Sequence, residues 1–144
     1  MSHAQVKGLL NIALNGYATL KGYKVNWENV DTSTIDRNVY PRLETYLMPA
    51  LNSSMTLDGD LEDVSGIYQV TVVTRKWEGT GPSDLVIADI HKLFPVYKVY
   101  KAANGFSFQT LDPVNIAEGR SDGDTWRVPC WFTYKAITNS KEIS

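Results

Sequence analysis

The sequence contains a single cysteine, Cys130, and only two histidines, His3 and His91. One cysteine excludes an internal disulfide framework and leaves no cysteine cluster that could hold zinc. His3 is terminal, and His91 stands beside Lys92 on the charged side of a predicted helix, as surface residues do. No nucleophile, base and acid are recognisable as a set from their spacing. We therefore expect no catalytic residue, no metal site and no cofactor.

Long apolar runs and an excess of charge of one sign are also missing. No run approaches the roughly 18 residues that are needed to span a bilayer. The start of the chain, Met1 to Gln5, lacks the basic and apolar regions of a signal peptide. The net charge is −2, and Lys and Arg are scattered, which argues against a general nucleic-acid binder. We expect a protein made in a cytoplasm, with no membrane insertion and no sequence-specific nucleic-acid binding.

The remaining composition is that of an ordinary globular protein. With 144 residues, 43% of them hydrophobic, the chain is long enough to bury a core without disulfides or metals. Internal repeats and low-complexity segments are missing. We predict one domain over residues 1–137, followed by a polar C-terminal tail over residues 138–144.

Two helices are predicted. The first covers residues 3–20 and ends at Gly22. Its apolar residues recur at spacings of three and four: Val6, Leu9, Leu10, Ala13, Leu14, Tyr17 and Leu20. The second helix opens at the turn 79–83, where Thr80 or Ser83 can cap it, and runs to Phe94. Its predicted apolar stripe is Leu85, Val86, Ala88, Ile90, Leu93 and Phe94.

The rest of the chain reads mainly as strands, which makes the fold class mixed α and β. Alternation predicts strands over 23–29, 42–48, 64–76, 96–100, 106–111 and 125–137, with 113–118 as a continuation of the fifth and 119–124 as a polar loop. Residues 64–76 carry apolar groups on both faces, which predicts a central strand. Pro129 lies inside the last strand and predicts a bulge or an edge position there.

Two segments resemble ligand sites but lack necessary parts. The turn 79–83 could cradle a phosphate, yet it has neither a Lys-Ser/Thr pair nor three spaced glycines, and Pro82 removes a donor. The acidic cluster Asp58, Asp60, Glu62 and Asp63 suggests calcium, but the twelfth position of such a loop would be Gln69 instead of glutamate. We interpret them as a structural turn and a solvated acidic turn.

The tryptophans offer a better candidate for a contact surface. Trp131 falls on the polar face of the last strand, together with Arg127 and Lys135, and Trp77 lies beside the glycine turn. A large aromatic on a polar face is typical of an interface. The alternative is that a helix covers Trp131. Trp27 and Trp126 fit core faces, and Cys130 fits there as a small hydrophobic residue.

These segments together resemble the tail terminator proteins of long-tailed bacteriophages, the group that includes the minor tail protein U type. The amphipathic first helix, three strands, the glycine-proline turn and the helix ending at Phe94 match in order. The matching strand sequences are Tyr23-Lys24-Val25-Asn26-Trp27-Glu28-Asn29, Pro41-Arg42-Leu43-Glu44-Thr45-Tyr46-Leu47 and Gly66-Ile67-Tyr68-Gln69-Val70-Thr71-Val72. The similarity covers most of residues 1–136, outside 96–120.

The resemblance implies an α+β fold whose mixed, mostly antiparallel sheet carries two helices on one face. It also implies a hexameric ring at the head-proximal end of the tail tube. Such a ring stops tube polymerisation and contacts the head-completion protein, without catalysis or cofactor. The expected location is the virion tail of a phage or prophage, assembled in the host bacterial cytoplasm.

Within such a ring, we expect Trp77, Trp131, Arg127 and Lys135 at interfaces and the acidic cluster of residues 58–63 near the lumen. The first alternative function is another head–tail connector or tail-tube component. The second is a small α+β ligand-binding domain or enzyme.

Overall fold

The computed structural model describes residues 2–27, 40–49, 65–102 and 105–137. It contains two helices and eight strands in these ranges. The helices are α1 (Ser2–Lys21) and α2 (Gly81–Leu93), and the strands are β1 (Lys24–Asn26), β2 (Arg42–Pro49), β3 (Ser65–Arg75), β4 (Val99–Lys101), β5 (Ser107–Thr110), β6 (Asn115–Ile116), β7 (Arg120–Asp122) and β8 (Thr125–Ile137). The predicted acidic turn at 58–63 and the predicted tail at 138–144 lie outside the described residues.

The strands form one mixed, mostly antiparallel sheet in the order β1-β2-β3-β8-β5-β4. Among the described strands, only β1 and β2 pair in parallel. All of β2 pairs antiparallel with β3, and all of β3 pairs antiparallel with β8. The predicted α+β class is confirmed. The central position predicted for residues 64–76 is also confirmed, because β3 has a neighbour on each side.

The long strand β8 organises the second half of the sheet. Its outer side pairs in turn with β7, β6 and β5. The loop predicted at 119–124 is wrong, because Arg120–Asp122 forms a strand that returns through a two-residue turn at Gly123, whose φ is 60°. The continuation predicted at 113–118 is also wrong, because β6 is a separate strand that pairs with β8.

Pro129 lies within this strand without a bulge. The β3–β8 register is continuous and places Pro129 opposite Thr71. The Pro129 carbonyl accepts a hydrogen bond from the Ala117 amide at 2.9 Å. Since the N and O of one residue point to the same side of a strand, the proline nitrogen faces the interval between β6 and β7. The missing N–H therefore costs no bond with β3.

The core lies between one face of the sheet and the two helices. The fully buried apolar residues of the helices are Val6, Leu10, Leu14, Ala18, Val86 and Ile90. They belong to one core cluster with Leu43, Tyr68, Val70, Val72, Cys130, Phe132 and Tyr134 of the sheet. Two residues of the predicted helix stripes, Leu20 and Leu85, are 82% and 72% exposed, and Ala88 is exposed as well. Leu20 lies about 120° around the helix from Leu14, which turns it away from the core.

The structure has the predicted end of α1 but lacks the predicted side-chain cap of α2. The φ of 76° at Gly22 and the bonds from Gly22 to Thr19 and from Tyr23 to Ala18 form the predicted C-terminal stop of α1. The predicted side-chain cap of α2 is wrong: Thr80 makes no capping bond, and the Ser83 hydroxyl donates to the Thr80 carbonyl at 3.0 Å. Neither helix in the described ranges is long and apolar enough to cross a membrane.

Candidate functional site: the open face of the sheet

Among the described residues, no helix covers one of the two faces that β2, β3 and β8 form. We call this surface the open face. Its residues come from three neighbouring strands: Glu44, Tyr46, Met48, Ile67, Gln69, Thr71, Arg127, Pro129, Trp131 and Thr133. Tyr46, Gln69 and Trp131 stand in one row across the strands, so aromatic and polar groups are mixed at its centre.

An ion pair links the two outer strands of the open face. The Arg127 Nη1 atom lies 2.7 Å from the Glu44 Oε1 atom, and the Arg127 Nε atom lies 3.5 Å from an Asp122 oxygen. The Glu44 side chain is only 14% exposed, and it also accepts bonds from the Tyr46 hydroxyl at 3.3 Å and the Asn26 amide at 3.5 Å. The charge of Arg127 is thus satisfied within the chain and fixes the shape of this surface.

A shallow concavity of about 370 Å³ lies over the ion pair. Eight residues line it: Glu44, Tyr46, Met48, Gln69, Thr71, Arg120, Arg127 and Pro129. The concavity is open to solvent, and its wall mixes carboxylate, guanidinium, amide and thioether groups. Such a wall suits a protruding surface of another protein better than a small ligand, because ligand pockets enclose most of their occupant.

The structure places three of the four predicted contact residues on this face of the sheet. Arg127, Trp131 and Lys135 alternate along β8, with roughly 13 Å between successive members. Trp131 is half-buried and Lys135 is exposed. Both described helices pack on the opposite face, so the alternative in which one of them covers Trp131 is wrong. Their role as contact residues remains a prediction.

The fourth predicted residue, Trp77, lies elsewhere. It follows the end of β3, about 20 Å along the strand from the row of Trp131, and is 89% exposed. Its φ of 73° lies in the left-handed region, which is costly for a bulky residue. The Lys76 ammonium lies 4.8 Å from the centre of its ring. Trp77 is therefore a separate exposed aromatic at the sheet end.

Sequence reasoning missed Tyr46 and Met48, which are 40% and 44% exposed on the open face. The alternation of the second strand contained the signal, since both share a face with Glu44. Another missed residue, Asp112, fills a gap in the sheet between β5 and β6. Its carboxylate accepts bonds from the Thr133 amide at 2.8 Å, the Thr133 hydroxyl at 2.6 Å and the Asn115 amide at 2.7 Å.

A second exposed apolar surface lies on the outer side of the helices. Ile12 is 70% exposed and lies about 180° around α1 from the middle of its buried stripe. The Tyr17 hydroxyl donates to Asp89 of α2 at 2.9 Å. Leu20 lies one helical turn after Tyr17, and Leu85 lies one helical turn before Asp89. We call Ile12, Leu20 and Leu85 the outer helix patch.

The residues that could act in catalysis or bind a metal ion are either buried or distant from one another. Burial raises the pKa of the Cys130 thiol to about 12, and its side chain is 1% exposed, as expected for a core residue. His91 is exposed on α2. Within residues 2–27, 40–49, 65–102 and 105–137, no three His, Cys, Asp or Glu side chains are grouped to hold a metal ion.

An α+β protein in which neither described helix covers one face of the sheet is suited to contact with other proteins through that face. Comparison with known protein families identifies one of them: the model of the phage tail terminator protein family matches residues 5–134. The chain belongs to this family, which is a family of structural proteins, and is thereby a component of the phage tail. A solved structure with 23% sequence identity covers 96% of this chain and 98% of its own, with a TM-score of 0.81. It shares the fold. None of the curated proteins matches the chain.

Proposed function

We propose that this protein forms a hexameric ring that caps the tail tube of a phage or prophage, stops its polymerisation and joins it to the head-completion protein. The observation that carries the proposal is the family match over residues 5–134. The open face adds physical support, because a ring subunit must offer an exposed surface to its neighbours. The protein acts by fitting against other proteins, without catalysis or a cofactor.

Within this proposal, Trp131, Arg127 and Lys135 contact a neighbouring subunit, and Trp77 contacts a different component of the tail. The acidic segment 58–63, with four carboxylates in six residues, approaches the lumen. Like charge would keep DNA from adhering as it passes through the channel. A structure of the ring with this segment on the outer rim would rule out the lumen assignment.

Native mass spectrometry over a range of concentrations, followed by imaging of any ring, tests the proposal. We expect a species of about six times 16.1 kDa, in solution or at tube ends formed by the tube protein of the same phage. Binding along the length of the tube instead of at its end would favour the alternative of a tail-tube component. A protein that stays monomeric even with tube ends present would contradict the proposal.

A further inference from the structure

The subunit carries two different exposed apolar surfaces on opposite sides. The open face has Tyr46, Met48 and Trp131 at its centre, and the outer helix patch lies beyond the core on the far side of the helices. A ring requires two unlike surfaces per subunit, since each copy meets one neighbour with each. Two copies joined by the same surface would close as a dimer instead.

We propose that the open face of one copy packs on the outer side of α1 of the next copy. This inference rests on the proposed ring and names the surfaces that close it. The outer side of α1 is convex, and the open face holds a concavity of about 370 Å³. A helical ridge fits such a surface, whereas two open faces would meet with their concavities opposed.

The charges of the two surfaces are compatible with contact between the open face and α1. The exposed positions of α1 from Ala4 to Leu20 carry no charged side chain, whereas a helix that faces water usually carries charges there. The two charges at the centre of the open face, Arg127 and Glu44, are already paired at 2.7 Å. Contact between these surfaces would therefore bury this pair intact, whereas Arg120, which also lines the concavity and is exposed, would have to be accommodated beside it.

The area of the open face can be compared with that of known protein–protein contacts. Three neighbouring strands that run side by side over about eight residues give a face of roughly 26 Å by 14 Å, about 370 Å² before side-chain relief is counted. A stable protein–protein contact buries about 800 Å² on each partner. The open face alone therefore supplies about half of the area of one ring contact.

Cysteine cross-linking distinguishes the possible pairings. Met48→Cys marks the open face, Ile12→Cys marks α1, and Lys101→Cys is a control on the exposed edge strand β4. Each variant is tested alone and in co-expressed pairs with a short bis-maleimide. Cys130 needs no replacement, because it is buried and burial raises the pKa of its thiol to about 12.

We expect cross-linked dimers from co-expressed Met48→Cys and Ile12→Cys copies, and none from either variant alone. Dimers from Met48→Cys alone would show sheet-on-sheet contact, and dimers from Ile12→Cys alone would show helix-on-helix contact; either result overturns the proposal. So does equal cross-linking in pairs that contain Lys101→Cys.

The same samples, measured by native mass spectrometry, separate this inference from the ring itself. A ring without the predicted cross-link overturns only the choice of surfaces. The cross-link without a closed ring supports the surfaces and contradicts the ring. Absence of both overturns both proposals.

A charge substitution provides a second test. Ile12→Glu would place an unpaired carboxylate in the contact, so we expect assembly to need at least tenfold more protein. Its unfolding curve should stay that of the wild type, because Ile12 is 70% exposed. Lys101→Glu serves as the control and should assemble normally. Unchanged assembly of Ile12→Glu would overturn the proposal.

Discussion

The two faces of β8 differ in what holds them together. Phe132 on the covered face is 1% exposed and packs against Phe94 and Tyr68, with ring centres 5.0 and 5.7 Å away. Its neighbour Trp131, on the open face, stands among polar groups. There the Arg127–Glu44 ion pair and its hydrogen bonds determine the arrangement. Substitutions on the covered face should therefore change the free energy of unfolding, and those on the open face should change assembly.

The largest difference is expected between the adjacent variants Phe132→Ala and Trp131→Ala. Phe132→Ala removes a fully buried ring and should lower the free energy of unfolding by about 3–5 kcal/mol. Trp131→Ala removes a ring that is only partly exposed and should lower it by about 1–2 kcal/mol, less than Phe132→Ala does, but should prevent ring assembly. Urea unfolding and native mass spectrometry measure the two effects. An equal loss of stability in both variants would mean that Trp131 belongs to the core.

Gly66→Ala tests how tightly β3 packs at its start. An added Cβ would lie 2.6 Å from the Tyr134 hydroxyl and 2.7 Å from the Met48 carbonyl oxygen. The backbone atom cannot move freely, so we expect a loss of about 1–3 kcal/mol in unfolding free energy. Gly16→Ala is the matched control, since nothing lies within 4 Å of its added Cβ, and it should stabilise α1 by about 1 kcal/mol. Equal behaviour of the two variants would contradict the packing described at Gly66.

Asp112→Ala should lower the free energy of unfolding by about 1–2 kcal/mol near neutral pH. Partial burial would raise the pKa of Asp112, but the bonds from Thr133 and Asn115 outweigh it and lower the pKa overall. A lowered folded-state pKa stabilises the fold above the unfolded-state pKa, and this contribution is lost as pH falls through the folded-state pKa. The stability difference from wild type should thus shrink below about pH 4. A difference that stays constant across that range would contradict the role of the carboxylate charge.

The smallest effect is expected for the ion pair of the open face. A double-mutant cycle of Arg127→Met and Glu44→Gln should give a coupling of about 1 kcal/mol, because both groups keep some contact with water. High salt should weaken this coupling only partly, since Glu44 is 14% exposed. A coupling of zero would mean that the pair does not hold the surface.

Long periodic segments made much of the fold predictable. The alternation over 125–137 gave the bounds of β8 and the correct face for Trp131, Cys130 and Phe132, because the side-chain period of a strand is two. β7 could not be predicted in this way. Its three residues Arg120–Asp122 are all exposed and show no alternation, and their strand conformation depends on pairing with β8.

The open face was predictable only in part. Strand alternation indicates which side chains share a face, but Glu44 and Arg127 are 83 positions apart, and no local pattern links them. For Pro129 the sequence predicted a bulge or an edge position, and the structure has no bulge. The sequence could not decide between the two, because the side to which the proline nitrogen points depends on the pairing partners of the strand. Leu20 and Leu85 fit an apolar helical period, yet the tertiary arrangement leaves them in water.

The length of tail tubes assembled with and without the protein, measured by electron microscopy, tests the central claim most directly. Tube subunits of the same phage should form long tubes of variable length alone. With the protein in excess, growth should stop, and a ring should be visible at one end of each tube. Tubes that grow equally long with the protein present, with bare ends, would contradict the account.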